Sequence, residues 1–227
     1  MATITYPRRQ FEWYDVVELS GPEGRQWMTE YRRYRGIVRA IADSLLMNRK
    51  GDLAAGTALL ERAADDVEQA GIDDPTIRAV LDRWYYGALG FSQYRRGLYA
   101  QADATMAVGQ EVVMGALGHW FLVFLADETV DFYMHRARVA RCRERWAQMR
   151  EFMGIARAMR EGTRPYHVLD DGTSIGVAEV RAFFDSLEVP EGAKLIAPHL
   201  QDAATGWRDW ELTAREIVRV PGFVIYQ

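Results

Sequence analysis

Two acidic residues, a third one turn on and a histidine beyond it stand at Asp127, Glu128, Asp131 and His135. On a helix Glu128, Asp131 and His135 lie at i, i+3 and i+7, so three groups able to ligate a metal or move a proton share one face. They follow the very apolar Trp120–Leu125 directly, and carboxylates with an imidazole entering a core at such spacing are what a metal site in a helical bundle requires. The same residues also make an Asp131–His135 pair one turn apart, with the acids answering Arg136, Arg138 and Arg141. Arginine stays dense through Arg143, Arg145 and Arg150, a face able to grip phosphates. Glu144 and Glu151 dilute it and no base-reading motif is present, so a solvated or partner-docking face is expected and nucleic acid is not. Asp170-Asp171-Gly172-Thr173-Ser174-Ile175 has the look of a calcium loop. If Gly172 is its turn glycine, however, the bidentate-Glu position falls on Ala178 and the first ligand on His167, so it reads as a turn into a helix. Asp65-Asp66-Val67-Glu68 has no companion motif and reads as surface. There is no P-loop, no Gly-x-Gly-x-x-Gly after a strand, no Gly-x-Ser-x-Gly and no His-Glu-x-x-His.

Composition bounds the rest. The chain has 227 residues, 49% of them hydrophobic and 26% charged, which suffices for a full core. Its formal charge of −4 gives no global attraction to nucleic acid or anionic membranes. A lone cysteine, Cys142, excludes an internal disulfide framework and fits a reducing compartment. Met1–Gln10 lacks an apolar stretch behind Arg8 and Arg9, so no cleaved signal is expected. The apolar run Leu117–Ala126 is about half a membrane span and reads as a buried core helix. A cytoplasmic protein with no membrane partner is the expectation.

The elements that must position these groups are helices. Ile4–Leu19 has no steady period and reads as an extended or irregular arm. Ser20 before Pro22 signals a helix start, and that helix should reach about Lys50, loosened at Gly36. Gly51 ends it and Asp52 caps a second through about Ala70. Asp74-Pro75 opens a third to about Arg96, Gly97 breaks it, and a fourth runs to about Gly115. From Gly118 to Glu161 one or two long helices are expected. There Val139, Cys142, Trp146, Met149, Met153 and Ala156 form a 3.6-residue stripe that should be buried. Beyond Gly162 glycine and proline punctuate the chain. A helix over about 176–187, another over 207–218 and a strand over 222–226 are the readings there. The outcome is a single domain over 1–227, with an arm (1–20), a helical body (21–161) and a C-terminal cap (162–227).

The two helix pairs superpose when Gly51 is laid on Gly97. Leu53 then meets Tyr99, Gly56 meets Ala102, Leu60 meets Met106, Ala63 meets Gly109 and Ser44 meets Gly90. Small residues in both helices of a pair let the backbones approach, and the larger ones fill the groove beside the crossing. This resembles the tetratricopeptide repeat. The unit Arg83–Ala116 carries Tyr86, Leu89-Gly90, Gly97, Tyr99, Ala102 and Met106 in the family's order, with Gln93 where a tyrosine is usual. The unit Ile37–Ala70 is weaker, the 46-residue offset exceeds the family's period of about 34, and no clean third copy is found after Gly118. The fold class is therefore all-α: tetratricopeptide-like antiparallel helix pairs, about six to eight helices, with an irregular cap able to hold a short strand.

The resemblance implies a concave groove lined by the first helix of each pair, and a protein or peptide partner, or a second copy of the chain. Carried over by position, the groove-facing residues are Asn48, Arg49, Trp84, Phe91, Tyr94 and Arg95. Arg49 and Arg95 occupy equivalent places and could hold a carboxylate or phosphate by forked hydrogen bonds, or could simply solvate helix C-termini. Seven tryptophans and 12% aromatic residues favour a ligand-enclosing cavity or an oligomer interface. No cofactor is expected on this view. The alternative rests on the Glu-x6-His spacing, which is similar to the ligand helices of heme-oxygenase-like di-iron enzymes. That similarity implies a metal-dependent oxygenase or oxidase with Fe or Mn on Glu128, Asp131 and His135. No second carboxylate-and-histidine helix completes the set, since His167 falls in an expected loop and His199 follows Pro198.

Overall fold

The computed structural model describes residues 10–11, 13–187 and 194–195. Its elements are β1 (Gln10–Phe11), α1 (Trp13–Leu19), α2 (Pro22–Tyr31), α3 (Arg35–Lys50), α4 (Leu53–Gln69), α5 (Pro75–Arg95), α6 (Tyr99–Ala116), α7 (Glu128–Cys142), α8 (Trp146–Arg160), β2 (His167–Val168), β3 (Ser174–Ile175), α9 (Val177–Asp185) and β4 (Lys194–Leu195). Two 3₁₀ stretches, Arg32–Tyr34 and Trp120–Asp127, link α2 to α3 and α6 to α7. The protein is all-α, with short strands only: β2 pairs antiparallel with β3, and β1 pairs parallel with β4. None of the described helices is long and apolar enough to cross a membrane.

Local chemistry sets the helix ends where the sequence places them. Asp52 Oδ1 accepts from the Ala55 N–H at 3.1 Å, and Asp74 Oδ1 accepts from Thr76 and Ile77 at 2.8 and 3.1 Å, so each satisfies orphan donors of a first turn. The second cap is also a tertiary anchor. The Trp27 indole donates to Thr76 Oγ1 at 2.8 Å, and that hydroxyl donates to Asp74 at 2.7 Å, which ties α2 to the start of α5.

Three connections share one geometry. Gly51 and Gly97 have φ of 90° and 75°, and the residue after each donates its N–H back across the last helical turn, Asp52 to Met47 at 3.0 Å and Leu98 to Gln93 at 2.9 Å. This is the left-handed helix stop that glycine adopts at least cost. Glu144 repeats it with φ 57°, and the Arg145 N–H reaches Ala140 at 2.9 Å. The chain thus folds back at 51, 97 and 144, giving the successive antiparallel pairs α3–α4, α5–α6 and α7–α8. Laying Glu144 on Gly97 aligns Ala137 with Gly90 and Ser44, and Ala156 with Gly109 and Ala63. All six are small and buried, and a Cβ on Gly90 would lie 2.8 Å from the Met106 side chain. A third pair is present after Gly118, and its sequence shows no clean copy because a glutamate stands at its corner.

Other expectations need correcting. Residues 13–19 of the arm are helical, since Val16 and Val17 bury fully against α2 and its neighbours. The long first helix breaks at Arg32–Tyr34, just before Gly36, and the apolar 117–126 run is buried largely as 3₁₀ turns. The stripe from Val139 to Ala156 is not one helical face. The corner at Glu144 interrupts it, so Val139, Met149 and Ala156 are buried while Trp146 stays 46% exposed. Strands β2 and β3 replace the expected loop around His167. The Asp170–Gly172 segment is the hairpin turn between them, where Asp171 accepts the Thr173 N–H at 2.8 Å. Helix α9 lies where 176–187 was read, and its Phe183 stacks on Phe124 at 5.7 Å. The readings at 207–218 and 222–226 lie outside the described residues.

The main core runs through all three pairs, with Ile41, Leu60, Val80, Leu81, Leu122 and Val130 among its fully buried members. A smaller cluster of Ala102, Met106, Val113, Phe132 and Val139 seals α6 against α7. Arg136 adds a polar tie across that seam, donating to Asp103 at 2.9 Å, with Arg143 at 3.9 Å from the same carboxylate. Two of the arginines expected on an open face are therefore spent between helices.

Candidate functional site

The first helices of the pairs, α3, α5 and α7, converge on a cavity of about 310 Å³. Its position follows from the sequence of α5. Trp84, Ala88, Phe91 and Arg95 recur at helical spacing, and Gly87 and Ala88 leave a hollow between the large rings. Leu45 and Arg49 close one side from α3. Met106 and Phe132 form part of the floor.

Five of the six expected groove residues line this cavity: Arg49, Trp84, Phe91, Tyr94 and Arg95. Asn48 does not. It is completely buried, with Ser92 donating to its Oδ1 at 3.4 Å and no partner found for its Nδ2. It wedges into the space left by Gly56, where a Cβ would lie 2.7 Å from the amide nitrogen. Asn48 is thus a packing residue of the α3–α4 crossing, one position off the groove face.

The three members of the alternative set, Glu128, Asp131 and His135, line the same cavity from α7. Two separate readings of the sequence therefore describe opposite walls of one site. Glu128 forms an ion pair with Arg83, whose guanidinium lies 4.2 Å over the Trp84 ring. Both partners are largely shielded, at 11% and 17% side-chain exposure, so the pair fixes α5 against α7 at the cavity's base. Arg138 donates to His135 Nδ1 at 2.7 Å, which places the neutral ring's proton on Nε2. The edge of that ring reaches water, yet the cavity walls crowd it. That crowding, with the Arg138 charge, holds its pKa below the usual imidazole value against the pull of Asp131. Burial likewise raises the Tyr94 phenol, assisted by the Cys142 thiol and opposed by Arg138, so Tyr94 presents a neutral hydroxyl. Among the described residues Arg49 and Arg95 make no ion pair.

The arrangement offers aromatic walls, two uncommitted guanidiniums at one rim and a neutral histidine beside an arginine at the other. It does not fit a metal as the alternative requires. Glu128 is engaged with Arg83, His135 gives its Nδ1 to Arg138, and no group of three ligating side chains able to hold a metal ion occurs among the described residues. Asp127 is buried and does not line the cavity, and it lies within electrostatic reach of Asp131, Arg160, Arg83 and Tyr166. His167 is 8% exposed and bonded to Thr129 Oγ1 at 2.5 Å.

Sequence reasoning missed Arg83, Arg138, Leu45 and Phe132 as cavity residues. Continuing the i, i+3, i+7 count from Glu128 by one further turn reaches Arg138, and the step back from Trp84 reaches Arg83, so the signal was the extension of two patterns already in view. Compared with family models, with curated proteins and with solved structures, the chain finds no match in any of the three.

Proposed function

We propose that this is a binding protein of the tetratricopeptide-like, stacked-pair type, which recognises a protein or peptide partner, or a second copy of itself, through the α3–α5–α7 cavity. The observation that carries this reading is the meeting of Arg49 and Arg95, from equivalent ends of two first helices, with Trp84, Phe91 and Tyr94 around one hollow. Guanidiniums that pair with no acid among the described residues suit a carboxylate or phosphate on the partner, and an aromatic hollow of about 310 Å³ suits one or two apolar side chains beside it.

The test is a fluorescence-anisotropy screen of short labelled peptide pools, one set with free C-terminal carboxylates, one with phosphoserine and one amidated and neutral. Binding by an anionic pool should fall at least tenfold in Arg49→Glu/Arg95→Glu with the helical circular dichroism unchanged. Equal binding by wild type and variant would remove the groove as the recognition surface. Light scattering of both proteins shows whether the partner is another copy.

A further inference from the structure

A second cavity, of about 520 Å³, opens on the other side of the Leu45–Trp84 wall, between α1, α2 and α3. Its lining is graded from the 3₁₀ stretch at Arg32–Tyr34 onward along α3. Arg32, Arg35 and Arg39 stand at one end, on one face at i, i+3 and i+7, while Ile41, Ala42 and Leu45 continue the same wall to Trp84 at the other. At about 1.5 Å per residue, the cationic and aliphatic ends are spread over roughly 15–20 Å. Met28 and Tyr31 of α2 complete an apolar floor.

Of the three charges at the polar end, only that of Arg32 is closely paired among the described residues. Arg32 pairs with Glu18 at 2.6 Å, and Arg39 reaches Asp43 only at 3.8 Å with its own side chain 85% exposed. Arg35 makes no ion pair among the described residues. Neither Glu18 nor Asp43 lines the cavity, so among the described residues its walls carry three cations and no anion, with the Arg32 charge offset by Glu18 behind it. A slot that is cationic at one end and aliphatic along its length is complementary to a molecule with a carboxylate at one end and a linear hydrocarbon chain behind it. An aromatic anion would match the head and leave the aliphatic length empty. A neutral alkane would leave Arg35 without a counter-charge.

We propose that this slot binds a free medium-chain fatty acid, its carboxylate on Arg35 between Arg32 and Arg39 and its chain along Ile41, Ala42 and Leu45 toward Trp84. The site is distinct from the α3–α5–α7 cavity and does not depend on what that cavity binds.

Isothermal titration calorimetry of the full chain with monomeric decanoate tests it. Wild type should bind one decanoate, and butyrate, with the same head and a shorter tail, should bind at least about a hundredfold more weakly. Arg35→Glu reverses the charge at the head and should weaken decanoate at least about tenfold. Ala42→Trp, at an exposed helical position, should fill the tail end and abolish binding, with circular dichroism unchanged in both variants. The proposal is overturned if wild type takes up no decanoate, as it would with residues of its own chain seated in the slot. It is overturned equally if either folded variant binds like wild type, or if the protein pellets with phosphatidylglycerol vesicles yet leaves monomeric decanoate free.

Discussion

The carboxyl of Asp127 is 7% exposed, and burial pushes its pKa up to about 7, with Asp131 adding to the rise and Arg160 and Arg83 opposing it. The folded protein therefore keeps a proton that the unfolded chain releases near pH 4. A raised carboxyl costs nothing below the unfolded pKa, and its penalty grows as pH climbs from about 4 to 7. Asp127→Asn removes that penalty. Its stability in urea should exceed wild type by up to a few kcal/mol at pH 8, since each tenfold change in proton affinity between the folded and unfolded states is worth about 1.4 kcal/mol, and should match wild type at pH 4. A gain of equal size at both pH values would assign the effect to packing. His167 works in the opposite sense. Burial lowers its pKa to about 4, so stability is lost as pH falls from about 6.5 toward 4. Between pH 4 and 6.5 the Asp127 slope opposes those of His167 and of His135, whose pKa is also lowered. His167→Gln removes one of the two opposing slopes, so on acidification through that window the urea midpoint of the variant should fall less than that of wild type.

At the scale of elements, the corners decide the architecture and are unequally well made. Gly51 and Gly97 accept positive φ freely, whereas Glu144 holds φ 57° with a Cβ, a conformation that costs a non-glycine residue about 1 kcal/mol. Glu144→Gly should stabilise the protein by about 0.5–1 kcal/mol in chemical denaturation, and Gly97→Ala should destabilise it by a similar amount. A loss on Glu144→Gly would show that its side chain, rather than its backbone, holds the turn. The same residues explain what the sequence discloses about the fold. Gly51, Gly97, Asp52 and Asp74 are local signals whose chemistry acts within a few residues, so the end of α3 and both ends of α4, α5 and α6 can be located to within one or two positions, whereas the start of α3 has no such signal. Glu144 is a corner made by tertiary demand, since α8 must return along α7 to cover Ala137 and Val139, and nothing in its own chemistry announces a turn. The 3.6-residue stripe from Val139 to Ala156 therefore reads straight across it as one face. Trp13–Leu19 failed for a similar reason, because its helicity derives from Val16 and Val17 being buried by a partner distant in sequence.

Over the whole molecule, the candidate site was legible in parts and illegible as a unit. Spacing along α5 marks Trp84, Phe91 and Arg95, and spacing along α7 marks Glu128, Asp131 and His135, but that the two faces oppose each other depends on how α7 stacks, which no periodicity within either helix encodes. Asn48 shows the limit from the other side, since one position of helical rotation moves it from groove to crossing. Stacking is thus the property on which the site depends, and the seam between α6 and α7 is where it can be tested. A Cβ on Gly109 would lie 2.7 Å from the Phe132 ring and 3.0 Å from Tyr86. Gly109→Leu must therefore push α7 off α6, and large side chains forced into such a contact cost about 1–3 kcal/mol or more. In a stacked array each pair is coupled to its neighbours, so hydrogen exchange should show protection falling in α7 and α8 while α3 and α4 retain theirs. If the proposed anionic-peptide site uses both walls, its binding should fall as well. A uniform loss of protection would mean that the three pairs fold as one cooperative unit, while undiminished peptide binding would separate recognition from the α7 wall and confine it to α3 and α5.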